Sequence, residues 1–141
     1  MLQVTKIFRF ETAHALHGYN GPCRLIHGHS YQLHVTVRAQ GTNTGYLPAP
    51  GILLDFKDLK QLVNEAVVKQ LDHRLVLSEA YLRANPDTAM EDNLLVMEAE
   101  PSAENLLIFA RNAIGDKLPE GVELARLRLY ETVDSYAEWV Q

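Results

Sequence analysis

CRLIHGHSYQLHVTVRA, residues 23–39, sets the architecture. From His27 onward, Tyr31, Leu33, Val35 and Val37 take one parity, and Gln32, His34, Thr36 and Arg38 take the other. Such alternation marks a strand with one buried face, so a strand is expected from His27 to Ala39. Side chains two apart on a strand share a face. His27 and His29 therefore head the apolar row. Gly28 between them is expected to let another backbone or a ligand approach closely.

The segment before this strand alternates too: Leu2, Val4, Phe8 and Phe10 against Gln3, Thr5, Arg9 and Glu11. His17-Gly18-Tyr19-Asn20-Gly21-Pro22 breaks the pattern, as a turn cluster does. A loop follows the second strand at Gly41-Thr42-Asn43-Thr44-Gly45, and another at Pro48-Ala49-Pro50-Gly51. Asp55 is placed to cap a helix on which Phe56, Leu59, Leu62, Val63, Ala66 and Val67 recur at helical spacing. A second helix starts near Ser102, with Glu104 in its first turn favoured by the helix dipole. Its stripe is Leu106, Phe109, Ala110, Ala113 and Ile114. Between the helices, Asn85-Pro86-Asp87 reads as a turn and Leu94 to Glu98 as a short strand. Val122 to Glu131 reads as a third main strand and Tyr136 to Val140 as a fourth. This order predicts one α+β domain over 1–141, an antiparallel sheet with helices on one face. The other face must be polar or covered, for example by a second subunit.

Composition excludes several classes. Of 141 residues, 47% are apolar and 22% charged, enough apolar mass to fold. No apolar run approaches the roughly 20 residues needed to span a bilayer, and the opening MLQVTKIFRF does not read as a secretory leader. Thirteen basic against eighteen acidic residues give a net charge of −5, which disfavours nucleic-acid and anionic-membrane partners. The single cysteine, Cys23, has no internal disulfide partner, so a reducing cytoplasm is expected.

Two histidines do not complete a catalytic zinc site, which usually has three protein ligands and an open position. His14 shares parity with Phe8 and Phe10, and antiparallel pairing of the first two strands would bring it beside His27 and His29. Three imidazoles favour zinc over calcium or magnesium. His17 and His34 are read as surface or hydrogen-bonded residues. Cys23 has three readings. It is a small buried hydrophobe, a thiol activated by a nearby dication, His or Arg24, or a fourth ligand sealing a structural site. Asp72 and His73 are adjacent and suit a proton relay, although such pairs commonly cap helices. Glu131 ends the inward row of Leu127 and Leu129, where its carboxylate either reaches solvent or takes two hydrogen bonds from a planar amidine edge. No glycine-rich phosphate loop is present.

Taken together, the chain resembles the family of 6-pyruvoyl- and 6-carboxy-tetrahydropterin synthases over nearly its whole length. The resemblance rests on Phe10-Glu11-Thr12-Ala13-His14, Cys23 through His29, Gly51 through Phe56, Leu71-Asp72-His73-Arg74, Pro101-Ser102-Ala103-Glu104-Asn105 and Glu131-Thr132. Thr12 departs from the family's usual Ala, and the stretch Glu79 to Glu100 is longer than in the shortest members. The resemblance implies the tunnelling fold (T-fold), with a four-stranded antiparallel sheet and two helices on one face. Subunits of that fold join into a barrel, a homo-hexamer or tetramer, with active sites between them.

It also implies His14, His27 and His29 as zinc ligands, Cys23 as the base, and Asp72 with His73 as relay. Glu131 would anchor the pterin, joining the relay from another subunit, while Ser102 and Glu104 would line the pocket. The implied substrate is 7,8-dihydroneopterin triphosphate. The favoured product is 6-carboxy-tetrahydropterin, with loss of triphosphate and acetaldehyde, on the route to queuosine-like 7-deazaguanines. The 6-pyruvoyl product is the alternative. An aldolase branch carries a glutamate close before His-Gly-His, and Arg24-Leu25-Ile26 has none. A non-catalytic, zinc-stabilised interaction module with Cys23 as fourth ligand belongs to a different class and stays open at this point.

Overall fold

A computed structural model describes residues 1–42 and 44–141; Asn43, in the first predicted loop, lies outside the described residues. The two alternating segments form β1 (Gln3–His14) and β2 (His27–Ala39). They pair antiparallel, so Phe8 faces Leu33, Phe10 faces Tyr31 and His14 faces His27. β5 (Val122–Thr132) pairs antiparallel with β2, setting Leu127 opposite Val35 and Leu129 opposite Leu33. A tight hairpin returns from β5 into β6 (Ser135–Val140).

The helical segment after Asp55 starts as α1 (Phe56–Val63), widens into a π turn over Asn64–Val68 and closes as α2 (Lys69–Leu71). The Asp55 carboxylate accepts the Lys57 amide at 2.8 Å, as its capping position predicts. The other long helix is α4 (Ala103–Gly115), capped by Ser102. Leu59, Val63 and Val67 from the first and Leu106, Ala110 and Ile114 from the second share one core with Phe8, Tyr31, Leu33, Val35, Leu127 and Leu129. Both helices therefore cover the same face of the sheet. The opposite face carries a Thr5–Thr36 hydroxyl pair at 2.8 Å and a row of rings, His34, Tyr130 and Tyr136. That face is polar and aromatic, one of the two outcomes its alternation allowed.

With β3 (Arg74–Ser78) and β4 (Leu94–Met97) the sheet has six strands, not four, in the order β4-β3-β1-β2-β5-β6. It is mixed, because β3 runs parallel to β1, and β4 runs parallel to β3. β3 escaped the sequence reading for a physical reason. Leu75 through Ser78 are all buried, so the strand shows no alternation. A short helix, α3 (Glu79–Ala84), and a 3-10 turn over Pro86–Met90 fill the stretch up to β4, where only a turn at Asn85-Pro86-Asp87 is predicted. Among the described residues, no helix is long and apolar enough to cross a membrane.

Candidate metal centre

The β1–β2 register brings three imidazoles to one end of the buried face. His14 ends β1, and His27 and His29 begin β2. Their ring centres lie 4.6 to 5.1 Å apart, and one ligand nitrogen from each lies within 4.8 Å of the others. His14 is almost fully buried, while His27 and His29 are half-buried. Two backbone carbonyls fix the rings. Pro101 O accepts from His14 Nδ1 at 2.6 Å, and Leu25 O accepts from His27 Nδ1 at 2.7 Å. A carbonyl only accepts, so each Nδ1 carries a proton, and in the neutral tautomer this selects, Nε2 presents a lone pair.

Those two Nε2 atoms stand 3.0 Å apart. Facing lone pairs at that distance repel unless a cation lies between them. Burial, the largest influence on His14, lowers its pKa from the ordinary value of 6.5 and keeps the ring neutral and ready to ligate. The three side chains thus fit a divalent ion, and the carbonyls behind them supply the outer support such ligands require.

Glu131 reaches this cluster from β5. Its Oε1 lies 3.7 Å from His14 Nε2 and 3.8 Å from His29 Nε2. Tyr31, which shares parity with His27 and His29, donates its hydroxyl to the same Oε1 at 3.3 Å. The sequence shows Tyr31 only as part of an apolar row; its hydroxyl is the polar tip of a buried ring. Burial, then the Glu131 charge, pushes its pKa far above the usual tyrosine range. Glu131 also lines a cavity of about 370 Å³ with Glu104, Ala103, Ser135, Tyr136, Ala137 and Glu138. The carboxylate therefore sits between the imidazoles and a space of ligand size. Ser102 is not among the lining residues. Its hydroxyl accepts the Asn105 amide at 3.2 Å as the α4 cap.

Cys23 lies in the single turn Pro22–Arg24, half-buried, and is not part of the nitrogen cluster. That separation does not match a sealed site in which sulfur is the fourth ligand. Asp72 and His73 stand elsewhere. Asp72 Oδ1 accepts the Glu11 amide at 2.9 Å and lies 3.0 Å from His73 Nδ1. The Glu11 amide, followed by the His73 ring, holds the Asp72 carboxyl below its usual pKa. His73 adopts φ of 59°, a conformation a side chain rarely takes. It lines a second cavity of about 370 Å³ with Glu11, Gly28, His29, Ser30, Arg74 and Asn93. Glu11 and Ser30 belong to the parity that points away from the histidines. Within one chain, then, the pair is not among the grouped ligands, although His73 and His29 line the same cavity.

Two smaller expectations also meet the geometry. A Cβ built on Gly28 would meet Thr12 O at 3.4 Å and Ala13 Cα at 3.8 Å, ordinary contacts, so no close approach within this chain demands glycine there. His34 lies on the polar face as expected, yet its Nε2 is buried without a hydrogen-bond partner.

Known proteins resemble this chain along its length. The family model described as 6-pyruvoyl tetrahydropterin synthase matches residues 3–141. The 6-carboxy-5,6,7,8-tetrahydropterin synthase of Haemophilus influenzae is 28% identical over 143 residues, covering 99% of each chain. The protein of that name from Rickettsia typhi is 28% identical over 142 residues, covering 98% of this chain and 99% of its own. Among solved structures, an uncharacterized protein of Wolinella succinogenes superposes with a TM-score of 0.73 at 17% identity, covering 99% of this chain and 98% of its own. The Caenorhabditis elegans 6-pyruvoyl tetrahydropterin synthase does so with a TM-score of 0.69 at 19% identity, covering 99% and 95%. These superpositions confirm the expected tunnelling fold, with six strands in place of four. With a family match running from Gln3 to the last residue, the chain belongs to the 6-pyruvoyl tetrahydropterin synthase family.

Proposed function

We propose that this protein converts 7,8-dihydroneopterin triphosphate to 6-carboxy-5,6,7,8-tetrahydropterin, releasing triphosphate and acetaldehyde, with zinc held by His14, His27 and His29. The observation that carries the reading is the pair of carbonyl-fixed imidazoles whose Nε2 atoms meet at 3.0 Å. An all-nitrogen donor set suits zinc. A bound zinc ion would supply Lewis acidity at the side-chain oxygens of the substrate, making the neighbouring C–H bonds more acidic.

The chain's own residues do the rest. Glu131 takes the ring N–H and amino donors of the pterin on its carboxylate, at the wall of the cavity that Glu104 also lines. Cys23, as thiolate, removes a carbon-bound proton. Asp72 and His73 hold and return protons as triphosphate leaves. They are not members of the imidazole group of their own chain, and in this reading they serve the site of a neighbouring copy in a homo-oligomer, a hexamer or tetramer. Light scattering tests this arrangement, and a monomeric active enzyme would remove it. Ser102 acts on the pocket by ordering the first turn of α4, which carries Glu104.

The 6-carboxy product is favoured because the Haemophilus influenzae and Rickettsia typhi relatives carry that name. Mass analysis after incubating zinc-loaded protein with dihydroneopterin triphosphate decides. Acetaldehyde plus a carboxylated pterin supports the reading, and a 6-pyruvoyl product without acetaldehyde contradicts it. Glu131→Gln removes the charge that strengthens the anchor. Hydrogen bonds to charged groups contribute about 1.5–3 kcal/mol, so pterin affinity should fall roughly 10- to 100-fold. Calorimetry with a non-reacting pterin reads this directly, and unchanged affinity would show that the anchor lies elsewhere.

A further inference from the structure

The dipeptide Glu100-Pro101 touches three parts of the site at once. Pro101 O accepts from the His14 ring at 2.6 Å. The Glu100 carboxylate accepts the backbone N–H of His17 at 2.6 Å. The Glu100 carbonyl accepts from the Ser102 amide and from Asn105 Nδ2, both at 2.9 Å, which ties it to the start of α4.

His17 opens the segment that carries Cys23. One residue before it, the Leu16 amide donates to Cys23 O at 2.9 Å. Beyond that, the Arg24 and Leu25 amides close their own turn on Gly21 and Pro22. Between His14 and His27 the chain has left the β1–β2 ladder, and ordering each such residue costs about 1–2 kcal/mol of backbone entropy. The Glu100 side chain is long enough to reach the His17 amide at 2.6 Å and hold this segment from α4's side. Glu100 is thus a tether on the segment that must hold the thiol still.

We propose that Glu100 is a positioning residue, whose carboxylate fixes His17 and, through the Leu16–Cys23 hydrogen bond, sets where the Cys23 thiol stands. The inference rests on the reading of Cys23 as the base. Its physical content is reach. Aspartate keeps the charge but is one methylene too short, whereas glutamine loses the charge but keeps an acceptor oxygen at full length.

The test uses zinc-loaded Glu100→Ala, Glu100→Asp and Glu100→Gln. A displaced base slows chemistry more than binding. In the alanine and aspartate variants, kcat should fall on the order of tenfold while KM stays within about twofold. Glutamine should restore kcat to within about threefold of the parent. Hydrogen exchange of amides 15–26 should rise in the first two variants and not in the third, with zinc content equal in all. A parental kcat in Glu100→Asp, an equal loss in all three, or unchanged exchange would overturn the proposal. Exchange is read without substrate, so it decides the tether even if the parent protein fails to turn over dihydroneopterin triphosphate. That failure would count against the functional reading alone.

Discussion

His27→Ala is expected to lose bound metal and turnover together. The ring is one of three donors and heads the inward row of β2, with its Nδ1 already spent on Leu25 O. Removing it leaves two imidazoles, of which His14 is held by Pro101 and cannot swing to compensate. Changes merely behind a metal ligand cost roughly 10- to 100-fold in affinity, so loss of a ligand should cost more. Lewis-acid stabilisation supplies several kcal/mol, and each 1.36 kcal/mol is tenfold in rate, so turnover should fall by about 10²- to 10⁴-fold. The measurement is metal content after dialysis, with turnover on the same sample. Full activity in a metal-depleted His27→Ala protein would remove the Lewis-acid role.

Cys23→Ala should separate the two properties. The sulfur stands outside the nitrogen cluster, so the variant should keep its metal and its fold. General-base catalysis contributes typically 10²- to 10⁴-fold, and turnover should drop by about that factor. The parent thiol, half-buried and unligated, should react with iodoacetamide while the protein stays metal-loaded. A variant that sheds its metal and unfolds would favour the structural site with sulfur as fourth ligand. Mixing Cys23→Ala with Asp72→Ala extends the test. If Asp72 serves a neighbouring copy, mixed oligomers regain part of the activity that each variant lacks alone, and mixtures that stay inactive argue against sharing.

How far the sequence carried the structure depends on what each element does with its side chains. β1 and β2 are half-buried, so their alternation was visible, and with it the shared face of His27 and His29. Placing His14 beside them needed only antiparallel pairing. Glu131 was legible the same way, as a carboxylate ending the row of Leu127 and Leu129. β3 was not, because a strand buried throughout has no period to read. Its absence from the reading is also why the sheet was expected to be purely antiparallel. The π turn at Asn64–Val68 left no mark, since Val67 still follows Val63 four residues on, as it would on a regular helix.

In the site, what the sequence missed acts through backbone or through a tip. Pro101 and Leu25 contribute carbonyls, which no side-chain pattern can reveal. Tyr31 contributes a hydroxyl at the end of a ring that reads as core. Glu100 contributes a carboxylate whose partner is the amide of a residue 83 positions away in the chain. Asp72 and His73 were legible as a pair, but where the pair stands is a fact of topology. It follows from α2 delivering them to the Glu11 amide at the edge of β1.

X-ray absorption at the zinc edge of the purified protein reads the ligands of the histidine site themselves. One zinc per chain is expected, with three imidazole nitrogens at about 2.0–2.1 Å and no sulfur neighbour. A sulfur shell at about 2.3 Å, or a protein that holds no divalent metal at all, would contradict it.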